Sequence, residues 1–156
     1  MKLSAQEEYG LRCLVRVAQH PEANLTIPEI AEAEGIAPHN VAKYLRLLRQ
    51  GGFVDSERGQ NGGYSLASPP DSISLAEVAA ALGGRLFDPG FCDHFAGVED
   101  ACHHSAAACS IRGLWGRVQN AVDEVLSQTT LSDLLHPDVV SSSEELVQVS
   151  VVPASR

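Results

Sequence analysis

Residues 26–66 hold two helical periods separated by one glycine and followed at once by a glycine-rich hairpin, and that order narrows the available folds more than any other feature. Thr26 has the character of an N-cap, with Pro28 just inside the helix it opens. That short helix, Ile27 to Glu34, is broken by Gly35. Ile36-Ala37-Pro38-His39 leads into a longer helix that runs to about Gln50, where Gly51-Gly52 stops it. Val41, Tyr44, Leu45 and Leu48 recur at the spacing of a buried helical stripe. Two helices joined by a tight glycine-containing turn, the second one carrying cations, form a helix-turn-helix pattern. Many helical pairs share that spacing, and the hairpin sharpens it. Phe53-Val54-Asp55-Ser56 reads as a strand, Arg58-Gly59-Gln60-Asn61-Gly62-Gly63 as a hairpin tip and Tyr64-Ser65-Leu66 as the return strand. The expected fold is mainly α with a small β-wing, a winged helix-turn-helix.

The flanking segments extend this plan. Ser4-Ala5-Gln6-Glu7 has the form of a capping box at the head of a helix from about Ala5 to His20, with Leu11, Leu14, Val15 and Ala18 as its buried stripe. Cys13 sits in the apolar flank and reads as a small buried hydrophobe. The cap explains Glu7; it does not explain Glu8, although a carboxylate in the first turn suits the helix dipole. Ser72 to Ser74 reads as a short strand, and Leu75 to Leu82 as a helix closed by Gly83-Gly84. Arg112 to Gln128 is a long helix with Leu114, Val118, Ala121, Val122 and Val125 on one face and Trp115 beside them as an anchor. Such a helix has little to bury against within its own compact subunit, so pairing with a twin about a two-fold axis is expected. The expected division is a winged-helix DNA-binding domain over 1–84, a cysteine loop over 85–111, a dimerisation helix and terminal turn over 112–135, and a flexible tail over 136–156.

Charge distribution points the same way. The whole chain carries a formal −9, which taken alone argues against nucleic acid. Residues 36–64 nevertheless carry +2, from Lys43, Arg46, Arg49 and Arg58 against Asp55 and Glu57, which leaves −11 for the remainder. A locally basic face on an acidic protein is the footprint of phosphate-backbone binding. No apolar run approaches the roughly 20 residues needed to cross a bilayer. Met1-Lys2-Leu3-Ser4 lacks a signal peptide's apolar stretch, so a cytoplasmic, reducing location is expected.

The second focus is Cys92 to Cys109, which holds three of the four cysteines at C-x9-C-x6-C, with His94, His103 and His104 between them. This segment has almost no apolar periodicity and depends on something else for order. Thiolates on such a stretch suit an iron–sulfur cluster. Zinc stays open, since three cysteines and a histidine are a legitimate set, although structural zinc sites bring ligands in close C-x2-4-C pairs that are absent here. An odd number of clustered cysteines without a secretory signal disfavours a disulfide framework. Cys102 beside His103 is a poor nucleophilic pair, because sequence neighbours rarely meet at the required geometry. No substrate-pocket motif accompanies them, and an enzyme would not need the wing.

Taken together, Met1-Lys2-Leu3-Ser4 before an amphipathic helix, the wing Arg58 to Leu66, the Ile73-Ser74-Leu75 step and three cysteines before a long helix resemble the Rrf2 family of bacterial transcription regulators, over roughly residues 1–135. The resemblance implies a homodimeric regulator on a two-fold symmetric double-stranded operator, with a cluster held by Cys92, Cys102 and Cys109. One branch of the family uses a histidine three positions after the third cysteine, which Arg112 excludes here. Another uses a carboxylate donated across the dimer at the position of Glu8. A two-iron branch uses a histidine in the second helix, where this chain has Ala33. Three cysteines plus Glu8 therefore favour a 4Fe–4S cluster over a 2Fe–2S one, with His103 and His104 as alternative fourth ligands. His39, Asn40 and Lys43, at the exposed start of the recognition helix, are expected to meet base edges or phosphates. Arg58, with Gln60 and Asn61 at the wing tip, is expected to reach the minor groove. Some family members work without a cluster, through direct cysteine oxidation or by binding a partner enzyme, and that remains the alternative.

Overall fold

The computed structural model describes residues 4–59, 62–84, 87 and 109–136. Helix α1 (Ala5–Ala18) starts at Ser4, whose hydroxyl accepts the Glu7 N–H at 3.2 Å while the Glu7 carboxylate accepts the Ser4 N–H at 2.9 Å. Helix α2 (Ile27–Glu34) repeats this box with Thr26 and Glu29. The bonds from Thr26 hold the Glu29 carboxyl below its ordinary range. Gly35 ends α2 at φ 65°, a left-handed conformation that strains any residue with a β-carbon, and so turns the chain sharply into α3 (Pro38–Gln50).

Val41, Tyr44, Leu45 and Leu48 of α3 are buried, as their spacing predicts. They meet Cys13, Leu14, Val17 and Ala18 of α1 in one core that Ile30, Val54, Ile73, Val78 and Leu82 complete. The expected α1 stripe is thus rotated by part of a turn. Leu14 and Ala18 are buried, but Leu11 and Val15 are half-buried and flank a cleft, because α3 covers the Cys13–Val17 side.

Strands β1 (Val54–Glu57) and β2 (Gly63–Leu66) form the antiparallel wing, with Val54 opposite Leu66 and Glu57 opposite Gly63. Leu25, between α1 and α2, exchanges both backbone hydrogen bonds with Tyr64, at 3.0 and 2.8 Å, which fastens the wing to the body. A β-carbon on Gly63 would lie 2.8 Å from the Leu25 carbonyl oxygen, so glycine permits this approach. Gln60 and Asn61 lie outside the described residues.

The expected strand at Ser72–Ser74 is instead a 3-10 turn, Pro70–Ser72, followed by a single antiparallel bridge between Ser74 and Thr130. Pro69 and Pro70 fix φ and remove two N–H donors, which disfavours a ladder. The Leu75 N–H donates to Thr129 and the Leu131 N–H to Ile73, so the chain after α5 (Ser110–Ser127) is pinned beneath the start of α4 (Leu75–Leu82). Helix α6 (Leu131–Leu135) then inserts the fully buried Leu131 into the main core. Trp115, expected as an anchor, is 39% exposed, although its i, i+4, i+7, i+11 relation to Gln119, Val122 and Leu126 puts it on the same side of α5.

Candidate nucleic-acid interface

His39, Lys43 and Arg46 are all exposed, and their i, i+4, i+7 spacing puts them on the side of α3 opposite its buried stripe. Lys43 Nζ lies 5.8 Å from the Tyr44 ring centroid, and Tyr44 in turn meets the Tyr9 ring at 6.4 Å. Asn40 is turned differently. It is half-buried in a crevice with Glu8, Tyr9, Arg12 and Ile36. Arg58 is exposed at the end of β1, while its neighbour Glu57 accepts a 3.0 Å hydrogen bond from Asn24.

The start of α3 has its own character. Its N-cap is Ala37, which makes no side-chain cap, and Pro38 has no N–H to donate. Every other described α-helix is capped by a side chain: Ser4, Thr26, Ser74, Cys109 or Thr130. The Asn40 and Val41 N–H groups both donate to the Ala37 carbonyl, so what this uncapped start offers an anion, beside the exposed cations, is the positive end of the helix dipole. Arg46, one of the cations in the positive balance of residues 36–64, joins this face. Its place seven residues after His39 was the signal that it shares their face.

Of the cysteine segment, Cys92, Cys102, His103 and His104 lie outside the described residues. Cys109 is half-buried and caps α5, its Sγ accepting the Arg112 N–H at 3.5 Å. Glu8 is exposed in the first turn of α1, where its Oε1 meets Arg12 Nη2 at 3.1 Å. Both side chains are about half exposed, so this pair adds little stability. Among the described residues no three histidine, cysteine or acidic side chains gather as a metal site. Cys109 supplies a thiol and Glu8 a carboxylate, both of them iron-compatible donor types. Cys13 is a different matter: it is fully buried, and burial, helped by Glu34, pushes its thiol up to about 12.

Helix α5 has two apolar faces. The inner one closes, with α1 and α4, a cleft of about 750 Å³ lined by Leu11, Val15, Val78, Leu82, Val122 and Leu126. The outer one carries Ile111, Leu114 and Val125, which are 61%, 55% and 64% exposed. With Val118 and Ala121 they follow the alternating three-and-four spacing of a helix–helix seam. No described helix is long and apolar enough to cross a membrane.

A profile of the family described as Rrf2, iron-dependent transcriptional regulator, matches residues 3–137. The chain is 35% identical over 136 residues to the protein Rrf2 of Nitratidesulfovibrio vulgaris, covering 86% of this chain and 87% of that one. It is 34% identical over 135 residues to the HTH-type transcriptional regulator CymR of Bacillus subtilis, covering 86% and 89%. The solved structure of B. subtilis CymR, described as the global cysteine regulator, superposes with a TM-score of 0.67 at 31% identity, covering 88% of this chain and 98% of that one. IscR of T. potens gives a TM-score of 0.68 at 28% identity, covering 90% of each. These relatives are transcriptional regulators, not enzymes, and the winged helix-turn-helix is their fold. The chain belongs to the Rrf2 family of DNA-binding transcriptional regulators.

Proposed function

We propose that the chain acts as a homodimer that grips a two-fold symmetric operator and changes its grip with the state of Cys92, Cys102 and Cys109. The observation that carries the DNA-binding half is the α3 start: exposed His39, Lys43 and Arg46 beside an uncapped helix N-terminus. Arg58 on the wing supplies a further cation suited to a narrow minor groove. The exposed seam of α5 supports pairing with a second copy, which would set the spacing of the two recognition helices. Half-sites about one helical turn apart follow from that symmetry. Selection of bound duplexes from a random library should return such a palindrome, and enrichment of single half-sites would overturn the dimeric reading.

For the sensing half, the three cysteines with Glu8 fit a 4Fe–4S cluster, which when bound would supply a centre responsive to redox, nitric oxide or iron status. The match to a family described as iron-dependent supports this assignment. Anaerobic purification with absorption and Mössbauer spectra, counting iron and sulfide per subunit, is the test. Four of each supports it, and two of each replaces it with a 2Fe–2S centre and a different ligand set. Iron-free protein that still binds DNA supports a second reading, direct sensing by the thiols or by a bound partner enzyme. The similarity to a global cysteine regulator and to an oxidised form of Staphylococcus aureus CymR, at 27% identity and TM-score 0.65, favours keeping that reading.

A further inference from the structure

Over residues 54–66 the wing carries two carboxylates, Asp55 and Glu57, against one cation, Arg58. That balance is unfavourable for an element laid against phosphate. The surroundings of Glu57 offset it. Asn24, in the segment between α1 and α2, donates from Nδ2 to Glu57 Oε2 at 3.0 Å. The next residue, Leu25, exchanges both backbone hydrogen bonds with Tyr64, so this segment lies along β2 as a one-residue extension of the sheet. Glu57 is paired with Gly63 across the hairpin, and cross-strand partners carry their side chains on the same face. A β-carbon on Gly63 would stand 2.9 Å from the Asn24 carbonyl carbon. The place a side chain would fill opposite Glu57 is therefore where the Asn24 backbone passes, and the amide reaches the carboxylate from there. Glu57 and Arg58 are exposed neighbours at the end of β1, yet the ion pairs among the described residues are Arg12–Glu8 and Arg16–Glu34. The carboxylate is tied to the body, and it does not pair with the guanidinium beside it.

We infer that Asn24 is a positioning residue for DNA binding: it holds the Glu57 carboxylate against the body of the domain, so that Arg58 meets the duplex without an adjacent acid to neutralise it. The inference rests on the reading of Arg58 as a DNA contact. Without the amide, Glu57 is free to turn to the neighbouring guanidinium, and DNA must then break that pair before Arg58 can bind. Exposed pairs of this kind are weak, so the effect is modest and measurable.

The experiment measures the affinity of the full chain for a duplex carrying its selected operator, by fluorescence anisotropy at one fixed salt concentration. Asn24→Ala leaves the net charge unchanged and is expected to weaken binding about twofold to fivefold, the range set by an exposed ion pair. The loss should vanish in two backgrounds. With Glu57→Gln no carboxylate is released, and with Arg58→Ala there is no cation to neutralise. A loss of the same size in either background makes Asn24 a merely structural residue and overturns the inference, as does an unchanged affinity for Asn24→Ala itself. Should Asn24→Ala disturb the fold, Asn24→Asp decides. It sets two carboxylates against each other, and adding Glu57→Gln restores a donor–acceptor pair at the wild-type net charge. Affinity must recover in that double variant, and failure to recover overturns the inference. Arg58→Ala keeps the two readings apart. If it leaves wild-type affinity unchanged, the wing reading falls and the role of Asn24 with it. If it weakens binding while Asn24→Ala does not, only the role of Asn24 falls.

Discussion

Gly10 faces Leu82 so closely that a β-carbon on Gly10 would lie 2.4 Å from Leu82 Cδ2. The contact joins α1 to α4, and the Gln6 side-chain amide adds a hydrogen bond to the Leu82 carbonyl nearby. Leu82 is itself buried, and the space its methyl groups could move into lies only on the side of the cleft it lines, away from its packing in the core. Gly10→Ala gains helix propensity but forces overpacking, and a net loss of about 1–2 kcal/mol is expected. Thermal unfolding should show a lowered Tm. A raised Tm would mean that α1 and α4 separate easily.

Lys43→Ala, Arg46→Ala and Arg58→Ala should each weaken operator binding. Where the lost cation contacts a phosphate, the slope of log affinity against log salt should become shallower by about 1, uniformly across sequences. Arg58→Ala should also relax selectivity for an A·T-rich segment. Fluorescence anisotropy over a salt series separates the two outcomes. An unchanged slope for Arg46→Ala would remove it from the interface.

Local rules made much of this fold legible. Gly35, the caps at Ser4 and Thr26, and the period of Val41, Tyr44, Leu45 and Leu48 are each decided by residues within one turn, and the structure agrees with each. What local rules missed are contacts across the chain. The rotation of the α1 stripe depends on α3 covering Cys13 and Val17, and the bridge from Ser74 to Thr130 joins residues 56 positions apart. The orientation of Asn40 toward Glu8 and Tyr9 is likewise set by the angle between α1 and α3. The burial of Gln119 in α5 carried no signal at all, since a lone glutamine on an amphipathic helix reads as solvent-facing.

Leu114→Glu should separate the protein into monomers. It places a charge in the exposed α5 seam, where the described residues of the single chain offer no apolar cover. Because the seam is exposed within one subunit, the monomer should keep its fold, with helix content unchanged by circular dichroism. Sedimentation velocity reads the mass directly. A wild-type chain that already sediments as a monomer would remove α5 as the dimer contact, and operator affinity should fall steeply in the variant because both half-sites can no longer be held together.

Cys13 should make the protein more sensitive to alkali. Its thiol ordinarily titrates at 9.0, and burial pushes it up to about 12 in the folded chain. Below pH 9.0 both states hold the proton, and the stability from the buried neutral thiol is fully present. As pH rises above 9.0 the unfolded chain releases the proton while the folded one keeps it, so this stability is lost progressively up to about pH 12. Lysines and tyrosines titrate in the same window, so the wild type must be compared with Cys13→Ala. The variant is expected to be less stable at neutral pH by about 1 kcal/mol from the lost buried sulfur. The difference should narrow, and then reverse, as pH rises through that window. Denaturant midpoints at pH 8, 9 and 10, approximately, track it. Parallel lines for the two proteins would mean that the thiol reaches solvent before the chain unfolds.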